Sequence, residues 1–504
     1  KQFTGRLYEA QRLSVSESMT VAESVNDTRR NVHLGLIVLL SGLGWYGGNG
    51  LTGAYWYLAW LAPIPLLIGS FYRSPKTSFW LAFAAYFVGR LSWFAYLETV
   101  VSLVPAVLLT LALPYVFARI IVYSRTLILT LDAWYTVLAY PVLMTGFECL
   151  VVTLSPDGSA TSMAYPQANV LPLIQIASLT GMLGITFLVS FFPSFVAICW
   201  LAYEQKKSWL ANLVSAAIFV FSASFFFSMH RLSNQSPKSG IKVGLIALEE
   251  KKHHKNYQAN IQQVKSVIND YAQAIAQLAR QGTALVLLPE TALWLTPEND
   301  QTVVALLKSI ALRNNLQLVV GLADYSRTQA HNTALVINPD GKVVADYRKN
   351  HLVRGFERQF TPGHQVGLFS LAGYKTGVAI CKDLDFPGYI RDYGRAKITI
   401  LFVPANDFRV DDWLHSRMAI LRGVENGFSV VRTARQGRLT ISDPFGRVLY
   451  EANSSGGDRT LLVGQVSFEH EDTQYARTGN WFGLLNLLVG AYLLWLLRVK
   501  KTFV

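Results

Sequence analysis

Residues 378–387 read VAICKDLDFP, and this stretch carries one of only three cysteines in the 504-residue chain. A run of apolar and small residues leads up to Cys381, and Lys382 and Asp383 follow it directly. Short Val/Ile-rich runs of this kind are typical of β-strands that are buried on both faces of a sheet. The stretch therefore predicts a buried strand with a thiol at its carboxyl end.

Runs of the same kind recur between residues 240 and 468, where they alternate with helical patterns over residues 257–281, 300–314 and 413–426. This alternation predicts a soluble α/β domain. The segments that we predict to be strands are IKVGLIAL, ALVLLPE, QLVVGLADY, TALVINP, VVADYRK, GVAICKD, ITILFVP, FSVVRTA and RLTISDP.

The rest of the chain is too apolar for a purely soluble protein. Hydrophobic residues make up 51% of the chain and charged residues only 15%, against about 25% charged residues in a typical soluble domain. A membrane-spanning helix needs roughly 20 mostly apolar residues. We predict eight spans, at about residues 33–48, 51–72, 78–97, 100–123, 127–152, 173–203, 208–229 and 480–497. The span at 173–203 is longer than a bilayer requires, so we expect part of it to be re-entrant or interfacial.

The positive charge of the chain follows the pattern of a membrane protein. The formal net charge is +13, but the basic residues form short clusters between apolar segments, which favours membrane topology over nucleic-acid binding. Along the chain, these clusters flank every second connection between predicted spans and so lie on one side of the membrane. They are Arg29-Arg30, Arg73, Lys76, Arg119, Arg125, Lys206-Lys207, Arg498, Lys500 and Lys501. Basic loops face the cytoplasm, so both termini are predicted to be cytoplasmic and residues 230–478 to lie on the opposite face.

Four regions follow from these patterns. Residues 1–31 are polar and show no secretory-type apolar stretch, so we interpret them as an N-terminal tail. Residues 32–230 hold seven predicted spans, residues 240–468 form the α/β domain, and residues 480–498 form a C-terminal transmembrane helix.

Three predicted strands end on residues that can do chemistry together. LVLLPE ends on Glu290, VVADYRK on Lys349 and TGVAICKD on Cys381. In α/β sheets, sites gather at the carboxyl ends of strands. There a thiolate can act as the nucleophile, a carboxylate can take its proton, and an ammonium can stabilise an oxyanion. Each residue alone also has a purely structural explanation: a small buried thiol, a turn-capping glutamate and a solvated lysine.

The order of these motifs resembles a known family. LPETALW, YRKNHLVRGFE and CKDLDFP resemble the Glu-Lys-Cys motifs of the carbon–nitrogen hydrolase (nitrilase) superfamily, and ILRGVENGFSVVRTARQGRLTISDPFGRVLYE resembles its closing segment. With the apolar segments and YPQANVLPLIQIASLTGMLGITFLV, the chain from about residue 33 is similar to the apolipoprotein N-acyltransferases, the membrane branch of that superfamily. The resemblance implies an αββα sandwich domain joined to an eight-span bundle, without a metal or cofactor.

The resemblance also implies roles for individual residues. Cys381 would be the nucleophile and Glu290 the general base, and Lys349 would stabilise the oxyanion together with the backbone N–H of Lys382. Glu357 lies eight residues after the lysine, at the position of the family's second glutamate, and would orient Lys349.

Further residues match the family's pattern less closely. Asn406 and Asp407 resemble its Asn-Asp pair near the pocket. Asp383 stands where the acyltransferases usually have glutamate, and Lys382 where they usually have tyrosine. The positive charge of Lys382 would favour the thiolate. In place of a loop tryptophan the chain offers Tyr257.

The implied reaction is a transfer in two steps through a thioester. Cys381 would take an acyl chain from a membrane phospholipid and pass it to the N-terminal amine of a diacylglyceryl-cysteine lipoprotein. The implied location is the bacterial cytoplasmic (inner) membrane, with the α/β domain on the periplasmic face. Two alternatives remain open at this stage: a membrane-bound amidase that hydrolyses an amide of a lipid-linked substrate, and a non-catalytic membrane scaffold.

Overall fold

The computed structural model describes residues 32–233, 239–248 and 261–502. The predicted tail at residues 1–31 and the candidate residue Tyr257 lie outside the described residues. Within the described ranges the chain forms a bundle of apolar helices and an α/β domain with two sheets.

The bundle contains helices from both ends of the described chain. They are α1 (Val32–Gly48), α2 (Leu58–Leu61), α3 (Pro63–Phe71), α4 (Pro75–Val101), α5 (Leu103–Leu131), α6 (Ala139–Leu154), α7 (Leu171–Ile174), α8 (Ala177–Thr180), α9 (Met182–Glu204), α10 (Leu210–Ser233) and the C-terminal α16 (Trp481–Thr502).

Each of the eight predicted spans coincides with helical structure, but fewer meet the requirements for a span. In the described part of the chain, five helical segments are long and apolar enough to cross a bilayer: Leu103–Leu131, Trp134–Leu154, Met182–Glu204, Leu210–Ser233 and Trp481–Val499. The segments Val32–Gly48 and Leu58–Phe71 are shorter. Helix α4 has 27 residues, but Arg90 and its Ser, Thr, Trp and Tyr residues reduce its hydropathy. The structure thus supports five of the eight spans by length and composition.

In the bundle, the overlong span is divided as expected, and one predicted boundary is wrong. The overlong span at 173–203 is not one helix, because Gly181 has φ +69° and separates α8 from α9. The irregular piece predicted there is the stretch Leu171–Thr180. The turn predicted between residues 123 and 127 lies instead at Asp132, where α5 ends. Arg119 and Arg125 are therefore inside α5 rather than beside a turn.

The α/β domain contains a seven-stranded sheet in the order β13-β1-β2-β4-β5-β6, with β3 paired to β4, and a six-stranded sheet in the order β12-β11-β10-β9-β8-β7. The strands are β1 (Gly240–Leu248), β2 (Leu285–Leu287), β3 (Leu293–Leu295), β4 (Gln317–Asp324), β5 (His331–Ile337), β6 (Val343–Arg348), β7 (Gly367–Leu371), β8 (Tyr374–Val378), β9 (Ile400–Asn406), β10 (Ser429–Arg435), β11 (Arg438–Ser442), β12 (Val448–Asn453) and β13 (Arg459–Ser467).

The two sheets pack face to face, and helices cover their outer faces. One apolar core joins side chains of both sheets, such as Val243 and Val319 from the first and Phe402 and Val431 from the second. Helices α11 (Ile261–Ala279) and α12 (Asp300–Asn314) cover the first sheet, and α13 (Pro387–Arg395) and α14 (Asp412–Asn426) cover the second. The short helix α15 (Gln474–Thr478) precedes α16. Strands buried on both sides explain the continuous apolar runs in the sequence, and the predicted αββα sandwich is confirmed.

All nine predicted strands form, but four further strands were not predicted. Strand β3 has only three residues, β7 alternates buried and exposed side chains, and most residues of β12 and β13 are exposed or half-buried. Short or half-exposed strands lack the continuous apolar run on which the prediction relied.

The α/β domain is packed directly against the bundle. The backbone N–H of Met182, at the start of α9, donates to a carboxylate oxygen of Glu425 on α14 at 2.7 Å. The side-chain amide of Gln175 donates to the carbonyl of Phe445 at 2.8 Å. Polar contacts of this kind fix the orientation of the domain above the bundle.

Candidate active site

The centre of the site is a buried lysine between two carboxylates. Lys349 directly follows β6 and is 1% exposed. Its Nζ donates to Glu290 Oε1 at 2.7 Å and to Glu357 Oε2 at 2.8 Å. The structure therefore brings together three of the predicted residues, which lie up to 67 positions apart, from 290 to 357.

Asn332, on β5, bridges the same two carboxylates. Its Nδ2 donates to Glu290 Oε1 at 2.7 Å and to Glu357 Oε1 at 2.6 Å, and its carbonyl accepts from the backbone N–H of Lys349 at 2.8 Å. The sequence did not predict this residue. The available signal was an asparagine just before the apolar run of a buried strand, since a buried amide needs partners.

The charges in this cluster depend on one another. Burial acts to lower the pKa of Lys349, but Glu290 and Glu357 raise it well above its ordinary value. Burial raises the pKa of Glu290 against the opposing effect of Lys349. Burial also acts to raise the pKa of Glu357. Lys349 and hydrogen bonds from Val353 and Asn332 outweigh this effect and bring the pKa of Glu357 below its ordinary value. Lys349 therefore stays an ammonium, and Glu290 is the carboxylate that more readily takes a proton.

Cys381 is the first residue of a 3₁₀ turn, Cys381–Asp385, that follows β8. It has φ +42°, and a non-glycine residue in this region costs about 1–3 kcal/mol of backbone strain. Its Sγ donates to the carbonyl of Asn406 at 3.7 Å. Burial and Glu290 raise the pKa of the Cys381 thiol well above its ordinary value, and Lys349 opposes this. The resting group is a neutral thiol that needs a base.

The predicted strand ends need a small correction. Strand β2 ends at Leu287 and β8 at Val378, so Glu290 and Cys381 lie in the turns that follow the strands. Glu290 is held there through its carbonyl, which accepts from Arg435 Nη2 at 2.9 Å.

Asp383 is fully buried and connects the turn Cys381–Asp385, here called the nucleophile turn, to the segment after Lys349 through hydrogen bonds. Its Oδ2 accepts from the N–H of Ile380 at 2.9 Å and from the Tyr347 hydroxyl at 2.6 Å. Its Oδ1 accepts from the N–H of His351 at 2.9 Å. All of these partners are donors within the α/β domain, so Asp383 shapes the turn.

Lys382 points its ammonium at two carboxylates. Its Nζ lies 2.9 Å from Asp157 Oδ1, in the loop after α6, and 3.4 Å from Asp385 Oδ2. Burial acts to lower the pKa of Lys382, but these carboxylates raise it above its ordinary value. Its charge is thus matched by two acids. This corrects the expectation that Lys382 supplies positive charge for the Cys381 thiolate.

Asn406 and Asp407 lie at the end of β9 with different surroundings. Asp407 is buried and pairs with both Nη atoms of Arg432, the first at 2.9 Å. Asn406 contacts Cys381 through its carbonyl. Its side-chain Oδ1 is buried and has no hydrogen-bond partner among the described residues. Asp407 therefore supports the sheet end, whereas Asn406 lies against the thiol with its side-chain oxygen unpaired.

Comparison with known proteins covers both parts of the chain. Residues 51–195 match the apolipoprotein N-acyltransferase N-terminal domain, and residues 256–473 match the carbon-nitrogen hydrolase family.

Among curated relatives, the apolipoprotein N-acyltransferase of Geobacter metallireducens is 24% identical over 84% of this chain and 88% of its own length. That of Chlorobaculum tepidum is 23% identical over 83% and 87%. An amidase structure from Nesterenkonia sp. covers 48% of this chain and 94% of its own, at 21% identity and a TM-score of 0.41. The chain belongs to the apolipoprotein N-acyltransferases of the carbon–nitrogen hydrolase (nitrilase) superfamily.

Proposed function

We propose that this protein moves an acyl chain from a membrane phospholipid, through a thioester on Cys381, to the N-terminal amine of a diacylglyceryl-cysteine lipoprotein. One observation carries the proposal: the turn that holds the thiol is bonded directly to the helical bundle. Ser159 donates to the carbonyl of Asp385 from its backbone N–H at 2.8 Å and from its Oγ at 2.7 Å. A nucleophile attached to apolar helices suits substrates that are anchored in a bilayer.

In the first step, Glu290 takes the thiol proton and the sulfur of Cys381 attacks the ester carbonyl of the phospholipid. The oxyanion that forms is stabilised by the Lys349 ammonium and the backbone N–H of Lys382. The C–O bond then breaks, Glu290 returns the proton to the leaving alkoxide, and a lysophospholipid departs. Glu357 and Asn332 hold Lys349 in place during this step.

In the second step, the α-amino group of the lipoprotein attacks the thioester. Asn406 Oδ1 accepts a hydrogen bond from this amine, and Glu290 removes its proton. The C–S bond breaks, Cys381 is regenerated as a thiol, and the product is an amide. No metal or cofactor takes part in either step.

A small crevice in the bundle lies beside the nucleophile turn. It lies between α4, α5 and α6 and has a volume of about 80 Å³. Its wall includes apolar side chains such as Leu97, Val101 and Leu109, and also Lys382 next to the nucleophile. Apolar side chains beside the nucleophile turn would contact the part of an acyl chain nearest the thioester and keep out water, which would otherwise hydrolyse the thioester.

The orientation that we propose places eight spans in the bacterial inner membrane, both termini in the cytoplasm and the α/β domain on the periplasmic face. The loops after α1 and α6 contact the α/β domain, since Gly53 packs on Trp413 and Ser159 bonds to the nucleophile turn. Basic residues gather at the other ends of the helices, where Arg125 donates to the carbonyl of Arg73 at 2.8 Å. This separation favours the proposed orientation.

The test uses the full chain in vesicles that contain a phospholipid with a labelled acyl chain. We expect the intact mass to rise by one acyl group on Cys381, and a diacylated lipopeptide added next to receive the label as an amide. Cys381→Ala abolishes both signals, whereas Cys199→Ala, which removes a thiol of the bundle, retains them. Release of labelled fatty acid without transfer to the lipopeptide would favour hydrolysis instead.

A further inference from the structure

The loop after α6 contacts the nucleophile turn from the side of the bundle. Asp157 pairs with Lys382 at 2.9 Å, and Ser159 donates twice to the carbonyl of Asp385, at 2.8 and 2.7 Å. Between them, Gly158 has φ +57°, and a Cβ added there would lie 2.3 Å from the same carbonyl. Three consecutive positions of this loop therefore make close contact with the turn.

The turn needs such support on both sides. Cys381 adopts a left-handed conformation at φ +42°, which a residue with a side chain keeps only when its surroundings hold it there. Asp383 anchors the turn to the α/β domain through Ile380, His351 and Tyr347. On the side of the bundle, the contacts are those of the loop after α6.

A change at the Asp157–Lys382 ion pair would alter the position of the nucleophile turn. The Lys382 side chain is 8% exposed and that of Asp157 is 29% exposed, so water screens the pair only in part. Removing Asp157 leaves the Lys382 ammonium with only the more distant of its two carboxylate partners, Asp385 at 3.4 Å, and the loss of the nearer partner of a largely buried charge favours local rearrangement. Because Lys382 is covalently next to Cys381, any such rearrangement reaches the thiol directly.

We infer that Asp157 is a positioning residue for the nucleophile, acting through Lys382 to hold the turn Cys381–Asp385 in its reactive shape. Asp157 belongs to the bundle and contacts no reacting atom. Thioester formation on the α/β domain thereby depends on a loop of the membrane region. The inference deepens the proposed acyl transfer, and its activity readout rests on that proposal.

The test compares the full-length protein with Asp157→Asn in two assays that use equal amounts of folded protein. The first follows alkylation of Cys381 by iodoacetamide with intact-mass measurement, and it needs no substrate. The second follows acyl-enzyme formation at saturating phospholipid. We expect alkylation to become several-fold faster, because a released turn exposes the thiol, and acyl-enzyme formation to fall by about 10²-fold, a usual cost of misplacing a reacting group by about 1 Å.

The matched control is Asp132→Asn, which breaks the Asp132–Lys207 pair of 2.6 Å elsewhere in the bundle and should leave both rates unchanged. The double variant Asp157→Asn/Lys382→Met removes both members of the pair. With Lys382→Met measured in the same assays, we expect the effects of the double variant to be smaller than the product of the effects of the two single variants, because the residues are coupled.

Unchanged rates of alkylation and acylation in Asp157→Asn would overturn the inference. If Asp157→Asn does not fold, the double variant decides in the same way, since it removes the Lys382 ammonium together with its nearer carboxylate. If the unsubstituted protein forms no acyl-enzyme but Asp157→Asn still changes alkylation, the proposed function fails and the positioning role stands.

Discussion

At the scale of single residues, the site depends on one ammonium that balances two carboxylates. Lys349 satisfies Glu290 and Glu357 at once, and Asn332 adds an amide hydrogen bond to each. Because all of these groups are largely buried, the loss of one leaves charge without a partner. Catalysis and stability are therefore linked at this position.

We predict that Lys349→Met abolishes acyl-enzyme formation and lowers the free energy of unfolding by about 3–5 kcal/mol, as breaking a buried ion pair does. Thermal unfolding in detergent and intact-mass measurement would check the two effects. Lys397→Met is the matched control, because Lys397 is 65% exposed and pairs with Asp472 at the surface. Equal destabilisation by both substitutions would contradict the prediction.

We predict that the rate of acyl-enzyme formation rises with pH on the acid side of its pH profile. Glu290 accepts the thiol proton only as a carboxylate, and burial raises its pKa above the ordinary 4.5. Activity is therefore lost as pH falls through that raised pKa, while Lys349, whose pKa is raised, remains charged. Glu290→Gln should remove this acid limb and lower the rate by about 10²–10⁴-fold. An acid limb that persists in Glu290→Gln would assign it to another group.

At the scale of elements, the strands were the easiest part to predict and the turns the hardest. Strand β4, for example, has every residue buried, and its run LVVGLA is the kind of continuous apolar pattern that can be seen in the sequence. The turn at Cys381 and the break at Gly181 depend on the backbone angle of one residue. In Cys381 that angle is held by distant partners, so no local pattern reports it.

We predict that Gly158→Ala weakens the contact between the loop after α6 and the nucleophile turn, because the added Cβ would lie 2.3 Å from the carbonyl of Asp385. Acyl-enzyme formation should fall at least about tenfold, since small misplacements near reacting groups are costly. Gly282→Ala separates this effect from backbone strain, because Gly282 has φ +80° but nothing within 4 Å of an added Cβ. Similar losses in both variants would point to strain alone.

At the scale of the whole molecule, the bundle and the α/β domain act as one unit. Glu425 of α14 accepts from the start of α9 and pairs with Arg422 at 2.9 Å, and both side chains are fully buried. Such contacts, with those of the loop after α6, hold the nucleophile at a fixed place above the bundle. A site fixed at the membrane surface replaces a bulk search for lipid-anchored substrates with a local one.

The proposed orientation predicts which loops a membrane-impermeant maleimide reaches in cells with a permeabilised outer membrane. In a variant without its own cysteines, Gly456→Cys in the α/β domain should be labelled. Ser74→Cys, between α3 and α4, should be labelled only after the inner membrane is lysed. Both positions are exposed to solvent. The reverse pattern would place the α/β domain in the cytoplasm.

The sequence by itself determined the elements whose signal is local. The apolar runs predicted the strands and helices, and the order of Glu290, Lys349 and Cys381 pointed to the chemistry, because burial and strand ends leave a pattern in neighbouring residues. Only the tertiary structure decided the partners: Asn332 between the glutamates, and Asp157, 225 positions from Lys382. Such pairs form when separate segments pack, and neither segment alone records the other. For that reason the sequence alone assigned the charge of Lys382 to the thiolate, whereas the structure places it in the contact between the bundle and the nucleophile turn.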